Sequence, residues 1–288
     1  MRTPSSEELA ALAEENGLRP FGERQSLREY SVELWRRRSF LWTLAKSRSY
    51  NRNQDNYLGQ MWSVLNPLFL AGVYYLIFGV LLKTTHGVDN FVGFLVIGVF
   101  TFSFVSTSMT SGAGSVSNSL SLVRSLRFPR AVLPLSVTVA ELVTFGSTVA
   151  VMLFLVLLSG ERPTWSWFGV VPAFGLAFVF VSGVAMMLSR MVASARDLRN
   201  LIPVGIRFIR YFSGVFFSID AYVVDKGFWG QVMLYQPVAV YLNLARSALL
   251  EEFDSSMTLW LAGAGWALLA VVVGYVVFWR GEEQYGRE

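Results

Sequence analysis

Long apolar runs, separated by short polar stretches, fill most of this chain. They lie at 61–82, 91–111, 131–158, 168–188, 201–218 and 257–279. Each is close to the roughly 20 mainly apolar residues that a helix needs to cross a hydrocarbon core of about 30 Å. The pattern predicts an all-α integral membrane protein with six transmembrane helices. Around these spans it sets four regions: a flexible N-terminal segment at 1–26, an amphipathic interfacial segment at 27–60, the six-span domain at 61–279 and a tail at 280–288.

The segment before the first run has a pattern of its own. Trp35 and Trp42 repeat seven residues apart, as do Leu34 and Leu41, and Arg36, Arg37, Arg38, Lys46 and Arg48 interrupt them. A helix with that periodicity lies in the interface, rings down and charges outward. Between the fifth and sixth runs, 219–256 is too broken to span and too apolar to be a plain loop. Pro237 divides it into two short helical pieces that enter the membrane and return, a path tolerated where protein covers the backbone.

Composition agrees, with 53% hydrophobic and 15% charged residues, far from the near 25% charged of soluble domains. Cysteine is absent, which removes disulfide frameworks and thiolate chemistry. The net charge of +4 would suit nucleic acid if the basic residues formed a patch. They follow the loops instead, so no nucleic-acid partner is expected. Of the 24 Lys and Arg, eighteen fall before the first run, after the second and fourth, and in the tail. Lys83, Arg162, Lys226 and Arg246 fall on the other side, while Arg207 and Arg210 lie inside the fifth run. The positive-inside bias then puts both termini in the cytoplasm and the protein in the plasma membrane.

Candidate chemistry is sparse. No Gly-x-x-x-x-Gly-Lys-Ser/Thr occurs, so ATP, if used, is handled by another subunit. The single histidine, His86, sits in a short outer loop, and no metal or catalytic residue is expected. Glu141 is almost the only acid within a span, too few for a proton relay. Arg207 and Arg210, three residues apart and so on one helical face, face a cavity or a partner at that depth. Glu141, counted from the same membrane face, falls at comparable depth and is expected to pair with one of them. Phe100, Phe104, Tyr211 and Phe216 are candidate flat faces for sugar stacking.

Four short motifs carry a resemblance. They are Leu58-Gly59-Gln60-Met61-Trp62-Ser63-Val64-Leu65-Asn66-Pro67-Leu68, Phe128-Pro129-Arg130-Ala131-Val132-Leu133-Pro134-Leu135, Ala195-Arg196-Asp197-Leu198-Arg199-Asn200-Leu201-Ile202-Pro203, and Gln236-Pro237 followed by Arg246. In this order the chain resembles the permeases of ABC exporters for O-antigen and teichoic acid. With 21 Arg against 3 Lys, it is most similar to the mycobacterial-type permease for a galactan-lipid cell-wall precursor.

The resemblance implies a homodimer docked on two cytoplasmic ATP-binding subunits, which hold the ATP and Mg, and a lipid-linked glycan as cargo. Pro129, which disfavours helix at Phe128, marks 118–130 as a separate cytoplasmic element expected to press on the ATPase, through Arg124, Arg127, Phe128, Pro129 and Arg130. From its depth, the spare cation of the Arg207 and Arg210 pair is a candidate receptor for the lipid diphosphate, since Arg matches phosphate oxygens bidentately; structural pairing with snorkelling is the alternative reading of the pair. Two alternatives stay open: a permease for a drug or plain lipid, and an intramembrane glycosyl or acyl transferase.

Overall fold

The computed structural model describes residues 26–51, 57–82, 88–126, 128–219 and 227–282. The expectations for 1–25, His86 and Arg127 therefore lie outside the described residues. Helices α1 (Leu27–Arg36) and α2 (Arg38–Asn51) come first. Ser26 caps α1 through a reciprocal box with Glu29, and the segment read as one amphipathic stretch is broken at Arg37. Helix α3 (Trp62–Tyr74) continues as a π-helical turn over Tyr75–Leu81. Then follow α4 (Phe91–Ala113), α5 (Leu120–Ser125), α6 (Val132–Leu158), α7 (Val170–Ser194), α8 (Leu198–Phe212), α9 (Gly227–Leu234), α10 (Pro237–Leu249) and α11 (Met257–Arg280).

Five of these elements are long and apolar enough to cross a membrane: α3 with its π-helical turn, α4, α6, α7 with the 3-10 turn before it, and α11. Helix α4 is the central one, with 83% of its apolar window buried, against 11% for α3.

The fifth predicted span differs. Helix α8 has 15 residues, about 22 Å at 1.5 Å per residue, which falls short of the hydrocarbon thickness. Its three arginines, Arg199, Arg207 and Arg210, make it amphipathic rather than uniformly apolar. At Gly214 the backbone turns to φ +68, a left-handed conformation that glycine adopts without strain, and the helix stops.

The hairpin α9–α10 meets this broken end. Pro237 opens α10 at the first helical position, where its missing N–H leaves nothing unsatisfied. Trp266 Nε1 donates to Tyr235 O at 2.8 Å, and Trp266 lies nine residues into α11, about 14 Å from its start. The Gln236 side-chain amide donates to Phe212 O. The hairpin tip therefore sits inside the membrane, against the end of α8. Together α8 and the hairpin form a broken helical path in place of one continuous span.

Depth can be counted from the face opposite the basic loops. That face is marked by Asn90 Nδ2 donating to Ser159 Oγ at 3.0 Å and by Ser166 Oγ donating to Ala248 O at 3.0 Å. Helix α6 has 27 residues, about 40 Å, so its first turns project beyond the hydrocarbon on the basic face.

Candidate functional site

Three cavities lie in a row along α4. One of about 430 Å³ is lined by Arg48, Ser49, Ser111, Ser115, Asn118, Ser119, Val137, Ala140 and Glu141. A second, of about 220 Å³, shares Glu141 and adds Trp62, Ser63, Asn66, Pro67, Phe100, Ser103, Phe104, Thr107 and Thr144 among its walls. The third, of about 200 Å³, shares Asn66, Pro67, Ser103 and Thr107 with the second and ends at Arg210 and Val215.

The row follows from the sequence of α4. Ser103, Thr107 and Ser111 recur every fourth residue, so they align on one helix face, and Ser115 follows in the turn just past Ala113. Pro67 lies inside α3 and lines both the second and third cavities. The wall is thus made mainly of hydroxyls and the Asn66 amide.

Arg210 stands at the deep end. Its guanidinium carbon is 4.9 Å from the centre of the Phe102 ring, a cation–π contact. Phe102 is eleven residues from either end of α4, which places the charge near mid-membrane, about 17 Å down. Its Nε atom is buried and makes no hydrogen bond. Arg207, one turn nearer the basic face, is exposed.

Glu141 is buried, 6% exposed, but lies seventeen residues from the end of α6, about 26 Å from the opposite face. The expected equal depth with the arginines fails because α6 projects from the bilayer, so counting from its start overestimates depth. Glu141 faces the cavities of Arg48 and of α3, and shares none with Arg210. At the basic edge Arg48 Nη2 donates to Ser119 Oγ at 3.0 Å, and burial pushes its pKa below the ordinary arginine value.

The candidate rings divide. Phe100 and Phe104 line the middle cavity, but Phe104 stacks on Phe145 at 4.5 Å and Phe100 is fully buried. Phe216 is 3.9 Å from the Tyr74 ring. Tyr211 is 58% exposed, and of the four it alone presents an open face.

Arg246 was assigned to an outer loop, and the structure buries it to 1% exposure. Its Nη1 donates to Gly214 O at 2.9 Å and its Nη2 to Val215 O at 3.1 Å, with Phe94 O at 3.5 Å. The guanidinium lies 3.4 Å over the Phe94 ring. It closes the break after α8, supplying donors to carbonyls that no helix satisfies.

The basic face carries the candidate coupling residues. Arg124 is exposed at the end of α5. Phe128 meets Phe40 edge-on at 5.4 Å, and Pro129 is buried. The Arg130 backbone N–H donates to Glu282 Oε1 at 3.0 Å, and its guanidinium donates to Glu282 O. Sequence reasoning missed Glu282, which looks like an ordinary tail acid. Burial pushes its carboxyl above the usual range, against the hydrogen bond from the Arg130 N–H.

Several helices long enough to span, a broken crossing and a polar row inside the bundle define a membrane transport subunit. Residues 39–250 match the family described as ABC-2 type transporter, and the chain belongs to that family. Among relatives, an O-antigen export system permease protein RfbA of Klebsiella pneumoniae is 25% identical over 231 residues, 79% of this chain and 86% of that one. The protein of the same name from Myxococcus xanthus is 32% identical over 172 residues, 59% and 65% of the two chains. The polysialic acid transport protein KpsM of Escherichia coli is 20% identical over 235 residues, 78% and 87%.

Proposed function

We propose that this chain is the transmembrane subunit of an ATP-driven exporter that carries a lipid-linked polysaccharide out of the cytoplasm. Two copies work with two ATP-binding subunits that hold the ATP and Mg. The observation that carries the reading is the row of cavities from the basic edge to Arg210, because a glycan offers hydroxyls and its lipid carrier offers phosphate. Ser103, Thr107 and Asn66 match the first and Arg210 the second. Relatives named for O-antigen and polysialic acid export support the same cargo class. The weakly covered α3 and the exposed α8 residues Phe208, Tyr211 and Phe212 suit a second copy across the path.

Export assayed in vesicles containing the permease, its ATP-binding subunit and lipid-linked glycan tests this reading. Arg210→Gln is expected to leave folded complexes whose glycan-stimulated ATP hydrolysis falls at least tenfold. Arg207→Gln, at an exposed position, has a smaller effect. Wild-type stimulation in the Arg210 variant would remove that residue from the path. Comparing galactan-lipid with other lipid-linked glycans in the same assay decides the cargo.

Orientation is tested separately. Because the native chain lacks cysteine, Ser125→Cys is expected to react with an impermeant thiol reagent only from the cytoplasm and Asp254→Cys only from outside. The opposite pattern would invert the transporter.

A further inference from the structure

The start of α6 lacks a cap of its own. Its N-cap position is Ala131, with no side-chain hydrogen bond, although the first N–H groups of any helix need acceptors and carry partial positive charge. The first N–H groups of α6 turn back to Pro129 O and Arg130 O at 3.0 and 2.9 Å, and the two N–H groups just before the helix find acceptors from both ends of the chain. Glu282, two residues past α11, takes the Arg130 N–H at 3.0 Å. The Tyr30 hydroxyl, from α1, takes the neighbouring Ala131 N–H at 3.0 Å. Nearby, the Ser31 and Tyr275 hydroxyls lie 2.8 Å apart and join α1 to α11.

The element at 118–130 therefore runs into a joint where Tyr30 of α1 and the half-buried Glu282 after α11 hold adjacent N–H groups at the head of α6. A push on that element cannot displace the head of α6 without taking the end of α11 with it. We propose that Glu282, with Tyr30 on the adjacent N–H group, is the positioning residue that delivers the ATPase stroke to α6 and α11 as one lever. This rests on the reading of 118–130 as the contact with the ATP-binding subunit.

The test uses the complete complex in vesicles and reads glycan exported per ATP hydrolysed. Glu282→Ala is expected to keep ATP hydrolysis within about twofold of wild type and to lose at least fivefold in export per ATP. Glu282→Gln retains an acceptor oxygen and restores most of it, whereas Tyr30→Phe lies between. A purely structural role would move melting temperature and complex yield while leaving the ratio unchanged, and that result overturns the proposal.

Should Glu282→Ala fail to assemble, Tyr30→Phe and a cross-link decide. A Ser31→Cys, Tyr275→Cys pair joined by a short thiol cross-linker should still export, because the lever moves as a unit, and arrest by the cross-link overturns it. Arg124→Glu separates the two levels. If it uncouples while the Glu282 and Tyr30 variants do not, the lever alone is wrong. If none of them changes the ratio, the coupling contact and the lever fall together.

Discussion

Arg246→Met is expected to destabilise the protein by about 2–4 kcal/mol, read as a lowered melting temperature in detergent. The arginine reaches the Gly214 and Val215 carbonyls at 2.9 and 3.1 Å, just past the end of α8. Each carbonyl left bare in that interior costs about 1–3 kcal/mol. Release of a buried charge offsets part of the loss. Lysine cannot substitute, because a single ammonium lacks the planar fork that reaches two carbonyls and lies flat on Phe94. Arg246→Lys should therefore recover less than half of the deficit. A methionine variant as stable as wild type would show that the break needs no donor.

The second large effect is expected where α7 and α11 touch backbone to backbone. A Cβ at Gly274 would collide with the Gly183 carbonyl, and one at Gly183 with the backbone of Ala270. Small residues permit such approach between membrane helices. Gly274→Val forces the helices apart, and overpacking of this kind costs about 3 kcal/mol. The expected result is loss of monodisperse protein on size exclusion. Gly265→Ala, on the same helix, meets nothing within 4 Å and should leave yield unchanged. Equal behaviour of the two would sink the packing argument.

The apolar runs were legible in the sequence because lipid imposes a length, and α3, α4, α6, α7 and α11 all carry that signature. The two pieces flanking Pro237 were equally readable from one residue's chemistry. Helix α8 was not, since 201–218 has span length, and only Gly214 and the tertiary contact at Gln236 show where it ends. The stretch 94–119 is rich in Ser, Thr and Gly, residues that allow close helix packing, and Gly112 lies tight against Ala185. The same stretch also gives the hydroxyl row, visible as a spacing of four.

Arg210 could be singled out because a cation in an apolar run needs a reason. Arg246 and Glu282 could not, because their partners lie 31–32 and 152 residues away. Each looks like a surface charge until the chain folds.

The mid-membrane position of Arg210 also has an electrical side. A unit charge moved through the whole membrane potential changes energy by about 2.3 kcal/mol per 100 mV. From the level of Phe102, either face is roughly half that drop away, or about 1.1 kcal/mol for Arg210 alone. Any travel of α8 along the membrane normal is therefore a gating charge, and the voltage across the bilayer does work on this helix with or without cargo.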